Sequence, residues 1–251
     1  MRYAVFNVLD LETIPDSEAS HLWVPKEGDR DKFPPLYTHR ILCLGQMVVR
    51  IYLEGRESVE ILHVSANLDS DRSSENRLLE KFHSTMSMYQ YPVLVTWGGR
   101  GFDVPLLGYR SMRYGLSMGW YYGSNRGRSK FSFERCWDLC DDLSDFDNRC
   151  KFSLQSACLL NNLPGKPDVD GSQVESLYKN GELKKISGYC LTDVIQTACL
   201  MIRTLKLKGE LEWDAQHAVR LLVKGVLSKL NSLETDALVE ETCQKILKVY
   251  L

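Results

Sequence analysis

Three short stretches of this chain place acids where a cation could gather them. "VLDLE" ends in Asp10 and Glu12, "GGRGFD" ends in Asp103, and "GYCLTD" sets Tyr189 four residues before Asp193. Side chains alternate along a strand, so Asp10 and Glu12 point to one face. Two carboxylates side by side in a strand of Val, Leu and Phe raise each other's pKa, and desolvation adds to the penalty. A divalent cation removes that conflict, because Mg²⁺ and Mn²⁺ prefer hard oxygen ligands. The alternative is a strand that stops at Leu9 and leaves both acids solvated at a turn. Asp103 follows an apolar run and a turn containing Gly98, Gly99 and Gly101, at the start of a helix. It reads as a helix N-cap or as a ligand, and the glycines favour the ligand because they let another chain approach the backbone. Tyr189 and Asp193 share a helix face, with Cβ atoms roughly 5–6 Å apart. Aspartate is a poor helix former, and Cys190, Leu191, Val194 and Ile195 nearly surround this one. An exposed Asp on the wet face is therefore the weaker reading. A buried Asp needs partners, and a cation shared with Asp10 and Glu12 supplies one.

An α/β scaffold has to carry these acids. "YAVFNVLDLE" is rich in β-branched and aromatic residues and predicts a buried opening strand. A polar loop runs from Pro15 to about His39. "RILCLGQMVVRIYLEG" and "ESVEILHVSA" predict two strands joined as a hairpin at "EGRE". "SDRSSENRLLEKFHSTMSMY" has a cap candidate at Ser73 or Ser74 and apolar residues Leu78, Leu79, Phe82 and Met86 at helical spacing. "YPVLVTW" predicts a further strand, "VPLLGYRSMRYGL" a helix, and "CWDLCDDL" a short strand or its exit. Beyond that the pattern is helical: "SLQSACLLNN", "SQVESLYKNG", the long "ELKKISGYCLTDVIQTACLMIRTLKLKG", and two amphipathic helices from Glu212 onward. No repeat, low-complexity tract or linker interrupts it. Strands early, alternation in the middle and helices late imply one α/β domain over residues 1–251. Its mixed β-sheet is flanked by helices and followed by a helical C-terminal extension.

The order D-x-E on a first strand, an aspartate after strand and turn, then Y-x-x-x-D on a late helix resembles the DEDDy class of 3′–5′ exonucleases. The chain is similar to the proofreading exonuclease domain of family B DNA polymerases. "VLDLETIPD", "LVTWGGRGFDVPLL", "LPGKPDVDGSQV" and "GYCLTDVIQT" carry the resemblance, which spans nearly the whole chain. It implies a ribonuclease-H-like fold and a two-metal mechanism with divalent cations, Mg²⁺ or Mn²⁺. In that mechanism Asp10 would bridge both metals, and Glu12 and Asp193 would complete the site of the metal holding the attacking water. Asp103 would serve the second metal through water, and Tyr189 would orient the nucleophilic water. The products would be nucleoside 5′-monophosphates and a strand shortened from its 3′ end. The sister class carries a histidine five residues before the last aspartate, where this chain has Gly188. Thr13, Trp97, Arg100 and Phe102 flank the acids and would lie at the terminal nucleotide, although Trp97 ends an apolar strand and has a core reading as well. One departure is Gly98, where related proteins usually have asparagine. It removes a polar side chain near the scissile end but no metal ligand.

The composition, 44% hydrophobic and 25% charged with a formal net charge of −2, is that of an ordinary soluble globular protein. It excludes a cationic nucleic-acid coat protein and leaves room for a local basic patch. The best strand-guiding candidate runs from Arg110 to Arg135, where Arg110, Arg113, Arg126, Arg128, Lys130 and Arg135 surround "WYY", Trp120 to Tyr122. Its other reading is a solvated loop whose aromatics pack on the core. The expected partner is a single-stranded nucleic acid with a free 3′ end. Polymerase-type relatives favour DNA, an RNA exonuclease would use the same site, and a replication or repair partner is left open. Lys166 in "LPGKPDVDG" is a candidate phosphate contact, but the phosphate-loop spacing is missing. "DLCDDLSDFD" lacks the glycine and glutamate of a calcium loop and reads as a solvated acidic loop. Several of the eight cysteines lie in apolar runs, as small core hydrophobes do. No C-x-x-C occurs and Cys136 and Cys140 have no histidine nearby, which argues against zinc. "MRYAVFNVLDLE" lacks a signal-peptide pattern, and no apolar run reaches the roughly 20 residues of a membrane span. A reduced, cytoplasmic, membrane-free protein is expected. The rival class is a non-catalytic nucleic-acid-binding subunit. The intact acids and tyrosine argue against it, and Gly98 alone lends it support.

Overall fold

The fold is built on β1 (Tyr3–Pro15), which runs through both acids instead of stopping at Leu9. The computed structural model describes residues 1–26, 33–68, 72–123, 126–129, 131–165, 171–230 and 237–249, apart from the side chains of 72–74 and 172. β2 (His39–Tyr52) and β3 (Val59–Leu68) form the expected hairpin, with Gly55 at φ 73° in its turn. α1 (Arg72–Met88), β4 (Val93–Thr96), α2 (Asp103–Arg113), a short α3 (Gly119–Tyr122), β5 (Cys136–Asp138) and α4 (Leu139–Leu143) follow. α5 (Leu154–Leu160), α6 (Val174–Lys179), α7 (Leu183–Leu207), α8 (Ala215–Leu230) and α9 (Ala237–Val249) complete the order. The cap expected at Ser73 or Ser74 lies outside the described side chains.

Five strands stand in the order β3-β2-β1-β4-β5, antiparallel across β1–β2–β3 and parallel across β1–β4–β5. This is the mixed sheet flanked by helices that the order of elements implied. The carboxyl ends of β1, β4 and β5 therefore meet at one edge, where open α/β sheets present their ligand crevice.

Alternation along β1 assigns the layers. Leu9 and Leu11 pack with Leu78, Leu79 and Phe82 of α1 and with Val104, Leu106 and Leu107 of α2. Phe6 and Val8 face the other way, into a core shared with Val194 and Ile195 of α7, Leu222 and Val226 of α8, and Ile246 of α9. Asp10 and Glu12 continue the Phe6–Val8 face, so the acids point toward the layer that α7 occupies. Gly45 is the ladder partner of Asp10. A Cβ at Gly45 would stand 2.7 Å from Cys190 Sγ and 3.1 Å from a methyl of Val194. The missing side chain lets α7 come down on the sheet directly beside Asp10.

A buried ion cluster fastens the other face, and it corrects the reading of Arg110 as a strand-guiding cation. Its guanidinium donates to Glu75 and to Asp16, each at 2.8 Å. Arg110, Glu75 and Asp16 are only 4%, 1% and 2% exposed. Glu75 also accepts from the Ile41 backbone N–H at 2.7 Å and from Tyr114 Oη at 2.8 Å. One guanidinium thus links the exit of β1, the start of β2, α1 and α2. Arg113 pairs with Glu18. Of "WYY", Trp120 and Tyr121 pack into the core beside Phe82, while Tyr122 is exposed with the Arg128 guanidinium 5.0 Å from its ring centroid. Lys130 lies outside the described residues.

Desolvation pushes the Asp16 carboxyl up, but the Glu18 backbone N–H and the hydrogen bond and charge of Arg110 outweigh it. The net shift is below the ordinary 3.8. A carboxyl depressed in the folded state contributes stability that is complete above its unfolded value and is lost as pH falls through the folded one. Urea melts are therefore expected to show stability dropping as pH falls below 3.8. At neutral pH, Arg110→Met is expected to destabilise by about 3–5 kcal/mol, because it leaves two carboxylates buried without their cation. An unchanged urea midpoint for that variant would show that the cluster does not hold these elements together.

Candidate active site

β1 supplies Asp10 and Glu12, the first turn of α2 supplies Asp103, and α7 supplies Tyr189 and Asp193. Glu12, Asp103, Tyr189 and Asp193 are buried, and Asp10 is half-buried. The exposed-helix reading of Asp193 is thereby set aside. The N-cap reading of Asp103 fails as well: α2 begins at Asp103, and its cap position is Phe102, which makes no side-chain cap bond. Donor atoms of Asp10, Glu12 and Cys190 all lie within 4.8 Å of one another. Among the described residues that group does not extend to Asp103 or Asp193. Two other links draw those acids in. The backbone N–H of Leu11, the residue between Asp10 and Glu12, helps hold down the pKa of the Asp103 carboxyl. Cys190, whose Sγ donates to the Asp10 carbonyl at 3.4 Å, sits three residues before Asp193 on the same helix.

The turn before Asp103 is fixed by a residue that the sequence pattern places in a solvated loop. Asp138, at the end of β5, is 1% exposed. It accepts from the backbone N–H groups of Gly98 at 2.8 Å, Arg100 at 2.9 Å, Cys140 at 3.0 Å and Asp141 at 3.3 Å. It caps α4 while holding the turn between β4 and α2. Asp141 is buried and pairs with Lys151 at 2.6 Å, and Asp142 accepts from Trp137 Nε1 and Lys208 Nζ, each at 2.9 Å. The first half of "DLCDDLSDFD" is therefore structural rather than solvated. The signal that could have revealed Asp138 was its place between a strand and a helix start, the N-cap position.

Glycine is required at 99, where a Cβ would stand 2.6 Å from both Asp103 Oδ2 and Thr96 Cβ. Gly98 differs: its φ of 72° suits glycine, and nothing lies within 4 Å of where its Cβ would be.

Desolvation is the main influence on the Asp103 carboxyl. Its own N–H and that of Leu11 oppose it, the charge of Asp138 adds to it, and the pKa is pushed up to about 7. Burial also drives the Cys190 thiol well up, helped by its hydrogen bond with Cys43 and by the charges of Cys43, Asp10 and Glu12. Cys190 is thus a neutral thiol among carboxylates. Oxygen donors gathered in a buried place, one of them destabilised as an anion, suit a hard divalent cation.

Of the candidate substrate contacts, Thr13 and Phe102 line a cavity of about 370 Å³ that includes Glu12, Phe33 and His39. Phe33 stacks on His39 at 4.6 Å between ring centroids, and Thr13 Oγ1 lies 3.3 Å from His39 Nδ1. Neither Phe33 nor His39 was legible from a motif. Trp97 packs against the core and donates from Nε1 to the Phe152 carbonyl at 3.2 Å. Arg100 donates to the carbonyls of Arg128, Ser132 and Cys136 and so ties down the following loop. Lys166 lies outside the described residues. No helix among the described residues is long and apolar enough to cross a membrane.

A mixed sheet in this order with helices on both faces is that of a ribonuclease-H-like α/β fold. Residues 31–242 match the model of a family described as a predicted 3′–5′ exonuclease related to the exonuclease domain of PolB, and the chain belongs to that family. It is accordingly an exonuclease, a phosphodiester hydrolase. The match begins beyond Asp10 and Glu12. Among solved structures the chain is similar to the family B DNA polymerase from the hyperthermophilic archaeon Pyrobaculum calidifontis. The TM-score is 0.51 and the identity 14%, over 90% of this chain and 29% of that one. That likeness is one of fold. No curated protein matches the chain.

Gly99→Ala is expected to displace Asp103 and lower kcat on the order of a hundredfold, the scale of a 1 Å misplacement in an active site. Gly98→Ala, strained but unobstructed, is expected to lose about 1 kcal/mol of stability and to keep its rate. Equal turnover of the two variants on an end-labelled strand would show that Asp103 is not held through Gly99.

Proposed function

We propose that residues 1–251, acting as one domain, remove nucleotides stepwise from the 3′ end of a single-stranded nucleic acid, DNA in preference to RNA, and release nucleoside 5′-monophosphates. The observation that carries this reading is the gathering of Asp10 and Glu12 beside Cys190 of α7, the helix that also carries Tyr189 and Asp193.

Asp10, Glu12, Asp103 and Asp193 would hold two divalent cations, Mg²⁺ or Mn²⁺. When bound, these would stabilise charge on the attacking and leaving oxygens and favour ionisation of the attacking water. The chain supplies the positioning. Asp138 locks the turn that carries Asp103, and Gly45 sets the height of α7 over Asp10. Tyr189, buried one turn before Asp193, offers a phenol that orients the attacking water without acting as a strong base. Thr13 and Phe102 receive the terminal nucleoside in the cavity beside Glu12, where Phe33 and Phe102 provide stacking surfaces. Trp97 and Arg100 shape the wall behind it. Exposed Tyr122 with Arg128 guides the incoming strand. Seven of the eight cysteines are buried thiols, which suits work in the reducing cytoplasm.

The test is timed digestion of 5′-labelled and 3′-labelled single strands, as DNA and as RNA, with Mg²⁺, Mn²⁺ or EDTA. The expected result is a ladder that shortens from the 3′ end and is abolished by EDTA, by Asp10→Ala and by Asp193→Ala. Tyr189→Phe, which keeps the buried ring, is expected to lower kcat about a hundredfold with KM held. Strands that bind but stay intact with every metal would overturn the reading in favour of a binding subunit.

A further inference from the structure

Arg40 is a cation for which the chemistry above has no role. It is the second residue of β2 and is 7% exposed, a depth at which arginine is almost always paired with an acid. The acids around it are engaged elsewhere: Asp16 and Glu75 by Arg110, Glu18 by Arg113, and Glu175 by Lys179. Among the described residues Arg40 forms no ion pair. Its guanidinium donates one hydrogen bond, from Nη2 to Tyr178 Oη at 3.2 Å, and lies 5.6 Å from that ring's centroid.

Arg40 lines two cavities, of about 400 and 260 Å³. The larger also touches Lys179, and it shares Pro15 and Glu175 with the cavity beside Glu12. In the β1–β2 ladder Ile14 faces Arg40, which puts Arg40 level with a point two residues past Glu12, roughly 7 Å at the rise of a strand.

We propose that Arg40 is a phosphate-binding residue, and that the group it takes is a backbone phosphate of the substrate strand adjoining the nucleotide being removed. The proposal rests on the nuclease reading above. A guanidinium is a planar fork that matches two phosphate oxygens, and Tyr178 holds this one in place before any ligand arrives. Partial burial strengthens its attraction for an anion over that of a solvated lysine. An exonuclease that advances one nucleotide at a time needs such a grip outside the scissile bond, and the cavity beside Glu12 shares Pro15 and Glu175 with this one. The same chemistry would also accept the phosphate of a released nucleoside 5′-monophosphate.

The experiment measures fluorescence anisotropy of a labelled DNA single strand in EDTA, which keeps the strand intact, across a range of salt concentrations. Arg40→Met is expected to weaken binding about tenfold. It is also expected to reduce the slope of log affinity against log salt by about 0.7, the share of one phosphate on a single strand. Its thermal midpoint is expected to stay level or rise, since it removes a buried cation that has no acid partner. If Arg40→Met does not fold, Arg40→Lys carries the test, retaining the salt slope while losing affinity with the fork. A parallel arm titrates thymidine 5′-monophosphate as competitor. An unchanged inhibition constant assigns the site to the strand, whereas a loss in that arm alone assigns it to the product. Wild-type values in both arms overturn the proposal while leaving the nuclease reading standing. A wild-type protein that neither binds nor cuts any strand overturns both.

Discussion

Burying carboxylates against one another is the constraint on which this molecule turns. Asp10 and Glu12 share the covered face of β1 with Phe6 and Val8, a face that elsewhere holds only apolar packing. Like charges in a desolvated place resist ionisation, and burial alone is the main reason the Asp103 carboxyl is raised to about 7. A site of this kind relaxes unless its surroundings hold it. Gly45 allows α7 to lie close enough for Cys190 to reach Asp10, and a methyl group there would push against that helix. The acids are thus presented by packing on one side and by a strand pleat on the other, with little freedom between.

The polar groups that hold this arrangement are themselves satisfied by backbone. Asp138 receives four main-chain N–H groups from two segments, so a single carboxylate couples the Gly98–Arg100 turn to the start of α4. Glu75 does comparable work on the opposite face, accepting from Ile41, Tyr114 and Arg110 at once. Carboxylates with several fixed donors are stiff anchors, because each lost bond would leave a buried group unsatisfied. At Asp103 burial opposes ionisation most visibly, and the charge of Asp138 adds to it against the pull of nearby backbone N–H groups.

The parts legible in the sequence are those encoded by short periodicities. Asp10 and Glu12 stood out because they keep the alternation of a strongly β-forming run, and Tyr189 and Asp193 because helical spacing buries them among Cys190, Val194 and Ile195. The long helix and the hairpin followed from the same patterns. Asp138 was hidden because "DLCDDLSDFD" has the charge density of a solvated loop, and only tertiary contacts show which of its acids turn inward. Arg110 was misread for a related reason. Its partners Glu75 and Asp16 lie 35 and 94 residues away in sequence, beyond any local count of charge. α3 and α4 are too short to express a period, and it is α3 that turns Trp120 and Tyr121 into the core. Cys190 entered the sequence reading only as an apolar neighbour of Asp193, and no pattern places a thiol within 4.8 Å of the acids.

These corrections change how a strand has to be held. Of the cations between Arg100 and Arg135, Arg110 and Arg113 are paired with acids, Arg100 is bonded to loop carbonyls, and Arg128 lies over Tyr122. With a net charge of −2 the chain is not cationic overall, and these engaged cations add little to holding a polyanion by counterion release alone. Under the proposed function, affinity for a strand would come from a few shaped contacts: aromatic rings beside Glu12 and individual guanidinium groups placed by their neighbours. Such a grip would suit the proposed stepwise trimming from an end, in which the strand is reseated after every cleavage. A wide electrostatic trough would favour the bound strand at every register equally, whereas discrete contacts next to the acids favour the register in which a phosphodiester lies at the carboxylates.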